Sequence, residues 1–182
     1  ADQVDALLAD STRTFRLTAP PKCQTRTVQL PLAFQPDRED LEGWVAGQDK
    51  RRAFYGQIWL DRIDRGEAVP TGFNYLIQTW RFPGENDRSL TSVFLPGEVV
   101  SGYSLRIKAE LNNDSRRLWV IGYANESPCY ITTAKEIAEG GYEVIQSMVS
   151  YDKPSSLAPE TEDIIVGTVV ELAGGKAEQG EE

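Results

Sequence analysis

Two junctions in the chain gather the side chains best suited to chemistry. Leu95-Pro96-Gly97-Glu98 reads as the exit from a strand into a helix. That places Glu98 beyond the carboxyl end of a strand, where ligands bind in open α/β sheets. Spacing alone makes Glu98 a first-turn carboxylate that steadies the helix dipole by about 0.3–1 kcal/mol. The second junction, residues 124–133 (ANESPCYITT), carries Asn, Ser, Cys, Tyr and Thr within one loop. These are short-range hydrogen-bonding groups. Asn125 reads as an Asx turn and Thr133 as a helix cap. Tyr130, and Tyr142 further on, read as core-edge aromatics whose hydroxyl finds one partner.

Composition narrows the chemistry further. The 182 residues include no histidine, so no imidazole mechanism can be run by this chain alone. Cys129 therefore lacks an activating base and reads as a small buried filler. Lys plus Arg is 19 against 28 Asp plus Glu, a formal net charge of −9. Nucleic acid and anionic membrane surfaces need the opposite sign. No apolar run is long enough to span a membrane, and none resembles a signal-peptide core. Two cysteines are too few for a disulfide scaffold. Gly140-Gly141 is a helix stop without the lysine or third glycine of a phosphate loop. Trp44, Trp59, Trp80 and Trp119 fall on predicted core faces, and Asp61, Arg62, Asp64 and Arg65 form a solvated helix face.

Taken in order, Leu95-Pro96-Gly97-Glu98-Val99-Val100, Asn125 with Tyr130-Ile131-Thr132-Thr133, Gly140-Gly141-Tyr142-Glu143 and Ala158-Pro159-Glu160 onward to Val166 resemble the neutral/alkaline non-lysosomal ceramidase family. The likeness is to its bacterial ceramidase-like members. It covers residues 90–172 well and 25–82 loosely. The resemblance implies a zinc hydrolase that cleaves the amide of N-acylated sphingoid bases such as ceramide. It implies that Glu98 and Tyr130 are zinc ligands, completed by two histidines from an earlier half of the domain. It places Tyr142 near the substrate carbonyl, and it implies an exported, extracellular or periplasmic enzyme. The family's upstream serine and arginine have no match here. On this reading residues 1–175 are the C-terminal portion of the hydrolase domain, its N-terminal half is the partner, and the chain alone is inactive. The rival expectation is a non-enzymatic acidic binding module that keeps the scaffold without metal. A carboxylate-pair glycosidase fits less well, because no second acid is singled out near Glu98.

The elements that must position these groups follow from periodicity. A helix is predicted over residues 2–10, already under way at the start, from Val4, Leu7 and Leu8. A half-buried strand is predicted over 25–32, with Pro31 marking an edge or turn. Pro36-Asp37 opens a helix striped with Leu41, Trp44 and Val45. A second helix over 51–65 buries Phe54, Tyr55, Ile58, Trp59 and Ile63 and stops at Gly66. Strands at 73–82 and 90–95 form a hairpin around a turn at 84–87. A helix is predicted from Glu98 to about Leu111, ended by Asn112-Asn113-Asp114. Residues 118–123 (LWVIGY) read as a strand buried on both faces. Thr133 and Glu136 fit a capping box for a short helix. Residues 142–151 read as irregular or extended, and Ala158-Pro159-Glu160 opens a last helix. The tail at 176–182 is acidic and reads as disordered. This order predicts a layered α/β fold, a mixed sheet with flanking helices. Four strands are few for so many helices, so part of a larger domain is expected.

Overall fold

The computed structural model describes residues 2–10, 14–111 and 116–174. Within them the chain forms an α/β fold, built on a four-stranded mixed sheet. Strand β1 (Lys22–Pro31) pairs antiparallel with β2 (Gly72–Pro83), and β2 with β3 (Ser89–Phe94). β3 then runs parallel to β5 (Arg116–Ile121), and helix α4 (Ser101–Leu111) carries the crossover. A parallel pair needs such a crossover, because a tight turn can only reverse the chain. A second, two-stranded piece joins β4 (Glu98–Val99) to β6 (Tyr130–Ile131).

One face of the sheet is covered by α4 and by α6 (Thr161–Leu172). Leu30, Tyr75, Ile77 and Val93 project from the strands into a core with Tyr103, Ile107, Ile165 and Val169. Alternation along β2 puts Tyr75, Ile77 and Thr79 on that side, and the Thr79 hydroxyl donates to the Leu172 carbonyl at 3.4 Å. The opposite face follows from the register. Trp80, Ser92 and Trp119 lie in one row, and Phe94 stands one step along. The Trp80 and Phe94 rings meet at 4.8 Å between centroids.

A helical pair, α2 (Arg38–Ala46) and α3 (Lys50–Asp64), sits between β1 and β2 in sequence. It has its own small core of Leu41, Trp59, Leu60 and Val69. Asp37 caps α2 through a full capping box with Asp40, and Asp49 caps α3 through the Arg51 and Arg52 amides. α5 (Ala134–Glu139) has the expected box between Thr133 and Glu136. α1 (Asp2–Ala9) forms, but Val4, Leu7 and Leu8 are all exposed. Among the described residues no helix is long and apolar enough to cross a membrane.

Several expectations are corrected. The helix predicted from Glu98 starts at Ser101, because Glu98 and Val99 are extended in β4 and pair with Tyr130 and Ile131. β5 is an edge strand rather than a strand buried on both faces, and Trp119 is 61% exposed. Its apolar run does not tell a covered face from a bare one. Trp80 is also exposed, on that same face. Phe54 lies outside the α2–α3 core, and Leu60 takes the inward place. Residues 142–151 are helical, a π turn at Tyr142–Gln146 followed by a 3-10 turn at Met148–Tyr151. The predicted helix stop at 112–114 and the tail at 176–182 lie outside the described residues.

Candidate functional site

The two junctions leave the sheet side by side. β3 and β5 are parallel neighbours, so their carboxyl ends point the same way. Backbone bonds then lock the two exits together. The Leu95 amide donates to the Ile121 carbonyl at 2.9 Å, and the Ala124 amide to the Leu95 carbonyl at 3.1 Å. The Gly97 amide donates to the Glu126 carbonyl at 2.9 Å, while the Gly97 carbonyl accepts from the Tyr123 amide at 2.8 Å. Gly97 has φ +79°, and a Cβ there would lie 2.5 Å from the Cys129 carbonyl oxygen. Only glycine permits both that dihedral and that approach. Behind it, the buried Tyr75 hydroxyl donates to the Pro96 carbonyl at 2.8 Å.

This arrangement sets Glu98 directly opposite Tyr130 in the parallel β4–β6 register. Facing residues of one register position share a side of the sheet. The Glu98 carboxylate also receives two tyrosines from elsewhere. Tyr123 donates to Oε2 at 2.7 Å, and Tyr151 donates to Oε1. The Tyr130 ring is flanked edge-on by Tyr142 and by Tyr151, with centroids at 6.1 and 6.3 Å. Three tyrosines, Tyr123, Tyr130 and Tyr151, thus act on one carboxylate, and Tyr142 stands behind Tyr130. Tyr123 and Tyr142 are 67% and 53% exposed, so the cluster faces solvent.

The electrostatics follow from these contacts. The Tyr151 hydroxyl, with smaller contributions from Tyr123 and Tyr130, holds the Glu98 carboxyl below its usual range against an opposing desolvation cost. Glu98 is therefore anionic at neutral pH. Its negative charge and hydrogen bonds push the phenols up in turn, Tyr130 to about 12, with Tyr151 and Tyr123 also raised. All three stay protonated donors at neutral pH in this arrangement. A divalent cation beside them reverses that logic and favours phenolate.

The sequence-predicted residues come together: Glu98, Tyr130 and Tyr142 lie in one cluster. Glu98 is not a helix-dipole carboxylate, since it precedes α4 and lies in β4. Asn125 has φ +67° and its amide reaches Gln78 Oε1 at 3.0 Å, bracing the loop against β2. Cys129 is fully buried, and burial pushes its thiol up to about 12. Sequence reading missed Tyr123 and Tyr151. Tyr123 ends an apolar run that reads as strand, and its φ of +55° marks it as the residue that turns out of that strand. Tyr151 lies far along the chain in a stretch with no period to read.

The zinc that the resemblance implies needs donors that converge. A carboxylate and a phenol in register satisfy that for two oxygen ligands. Among the described residues no group of three His, Cys, Asp or Glu side chains is placed to hold a metal ion, and the chain has no histidine. The cluster thus offers two oxygen donors, against the three protein ligands a catalytic zinc takes. Compared with protein-family models, curated proteins and solved structures, the chain matches none.

Proposed function

We propose that this chain carries the oxygen-donor half of a neutral-ceramidase-type zinc amidohydrolase centre, with the nitrogen half supplied by an N-terminal half of the same domain. The observation that carries the reading is the register pairing of Glu98 with Tyr130, from two loops that share no local sequence. The exposed Trp80 and Trp119, on the sheet face away from Tyr75 and Ile77, support the expectation that more polypeptide packs here. The substrate class is a lipid amide such as ceramide.

Glu98 and Tyr130 would hold the zinc. Bound zinc would supply Lewis acidity toward the amide carbonyl. The chain's own residues do the rest of the work described here. Tyr123 and Tyr151 hold the Glu98 carboxylate ionised and fixed, each through one oxygen. Tyr142, half-exposed beside Tyr130, can donate a hydrogen bond to the oxygen on which charge develops. Its exposure also leaves room for a substrate to arrive.

The test is zinc content and N-acyl-sphingosine hydrolysis of the full-length protein and its Glu98→Gln and Tyr130→Phe variants. Both variants lose zinc, and hydrolysis falls with it. Unchanged zinc in both overturns the assignment. The 182 residues alone show no hydrolysis, and hydrolysis at the full-length rate would refute the division into halves.

A second reading has its own support. Each Glu98 oxygen already accepts a tyrosine hydroxyl, so the cluster is satisfied without metal. On that reading the chain is an acidic binding module, and zinc is absent from the full-length protein in every variant.

A further inference from the structure

A cavity of about 500 Å³ lies away from Glu98, between the α2–α3 pair and the segment at 145–156. That is within the range of small-ligand sites, roughly 300–1,000 Å³. Its wall is apolar and unevenly covered. Of its lining residues Phe34 and Ile145 are 49% and 52% exposed, Trp44 is half-buried, and Met148 is buried. Thioether and aromatic walls adapt to a flexible chain.

The mouth has a charge opposite to that of the whole protein. In a chain of net charge −9, Arg51, Arg52 and Lys153 all line this cavity. The one acid there, Asp49, is committed to capping, with Oδ1 accepting from the Arg51 and Arg52 amides at 2.9 and 3.0 Å. Lys153 is also engaged, through the Tyr151 carbonyl at 3.2 Å and the Phe73 ring at 4.8 Å. The Arg52 guanidinium lies over the Trp44 ring, 4.3 Å from its centroid, and so puts a positive charge beside an apolar wall. Helix stability does not explain these arginines. The first turn of α3 reads Lys50-Arg51-Arg52 with no acid, and cations there oppose the helix dipole.

We propose that this cavity binds a single-chain anionic amphiphile, with its alkyl chain against Trp44 and Met148 and its head group on Arg51 and Arg52. A neutral chain would leave the arginines unused, and a simple anion would leave the cavity unfilled. The proposal does not rest on the reading of the Glu98 cluster.

The experiment is a calorimetric titration with sodium octanoate, 1-octanol and octylammonium, with Trp fluorescence followed in parallel. The same titrations are run on Arg51→Glu/Arg52→Glu and on Trp44→Phe. Both arginines are exposed, and the charge reversal favours the helix dipole, so the double variant folds. Octanoate binds at submillimolar concentration, at least tenfold more tightly than octanol, and octylammonium does not bind. The double variant loses at least tenfold for octanoate and little for octanol. Trp44→Phe loses most of the fluorescence change. Equal affinity for octanoate and octanol, unchanged octanoate affinity in the double variant, or no octanoate binding below several millimolar each overturns the proposal.

Discussion

Replacing Gly97 with alanine tests whether the close approach of the two loops is what sets Glu98 opposite Tyr130. Two costs add. Holding an L-residue at φ +79° costs about 1–2 kcal/mol. The new methyl would sit 2.5 Å from the Cys129 carbonyl oxygen and 3.1 Å from Ile131 Cγ1. A backbone carbonyl cannot rotate away as a flexible side chain does, so the loops must part, at about 1–3 kcal/mol for an overpacked site. The sum is about 2–5 kcal/mol. Gly66 supplies the control, with φ +84° and nothing within 4 Å of a new Cβ. Gly66→Ala therefore carries only the dihedral cost, about 1–2 kcal/mol. Urea denaturation of both variants at matched m-values gives the comparison. The Cys129 carbonyl that must move also accepts the Glu98 amide at 3.0 Å, so Gly97→Ala disturbs the cluster as well as the stability. If Gly97→Ala costs no more than Gly66→Ala, the close approach has no energetic role and the argument for the register fails.

Tyr151→Phe removes the largest influence that lowers the Glu98 pKa, so the carboxyl titrates nearer its ordinary 4.5 in NMR. A lowered folded pKa gives stability that is present above 4.5 and lost as pH falls through the folded value, so wild type loses more than Tyr151→Phe on acidification; equal losses would refute this. Cys23 is exposed and Cys129 buried, with a thiol pushed up to about 12, so iodoacetamide at pH 8 labels Cys23 alone in mass spectrometry until urea is added. Tyr75→Phe leaves the Pro96 carbonyl without its buried donor and costs about 1–3 kcal/mol in the same denaturation assay. Glu162→Gln weakens a bridge in which one carboxylate holds the Ala134 amide at 2.7 Å and Arg106 at 2.9 Å, and the expected loss in that assay is about 1.5–3 kcal/mol.

Local chemistry made much of this legible in advance. Thr133, with Glu136 three residues on, marks a helix start to the residue, and Pro36-Asp37 stands where α2 opens. The aromatic and β-branched runs at 73–82 and 90–95 mark the hairpin. What escaped depends on partners distant in sequence. Glu98 looks like the first turn of a helix because nothing local announces that residues 129–131 will take its backbone. Trp119 looks buried because strand periodicity does not report which face receives helices. Glu98, Tyr130 and Tyr142 were found through motif resemblance, and their convergence in space is a property of the parallel β3–β5 pair. Tyr123 and Tyr151 had no motif to carry them, and only the fold brings their hydroxyls to Glu98.

The outer rim of β5 has one more consequence, for handling the protein in solution. No described strand pairs with that rim, so its amides and carbonyls offer a template for self-association. Arg116 and Arg117 guard its first half, and like charge keeps a second copy from docking there in register. Concentrated salt screens that repulsion within about 3 Å at 1 M. Purification steps that depend on high ionic strength therefore promote clumping, and dilute buffer keeps the molecules apart.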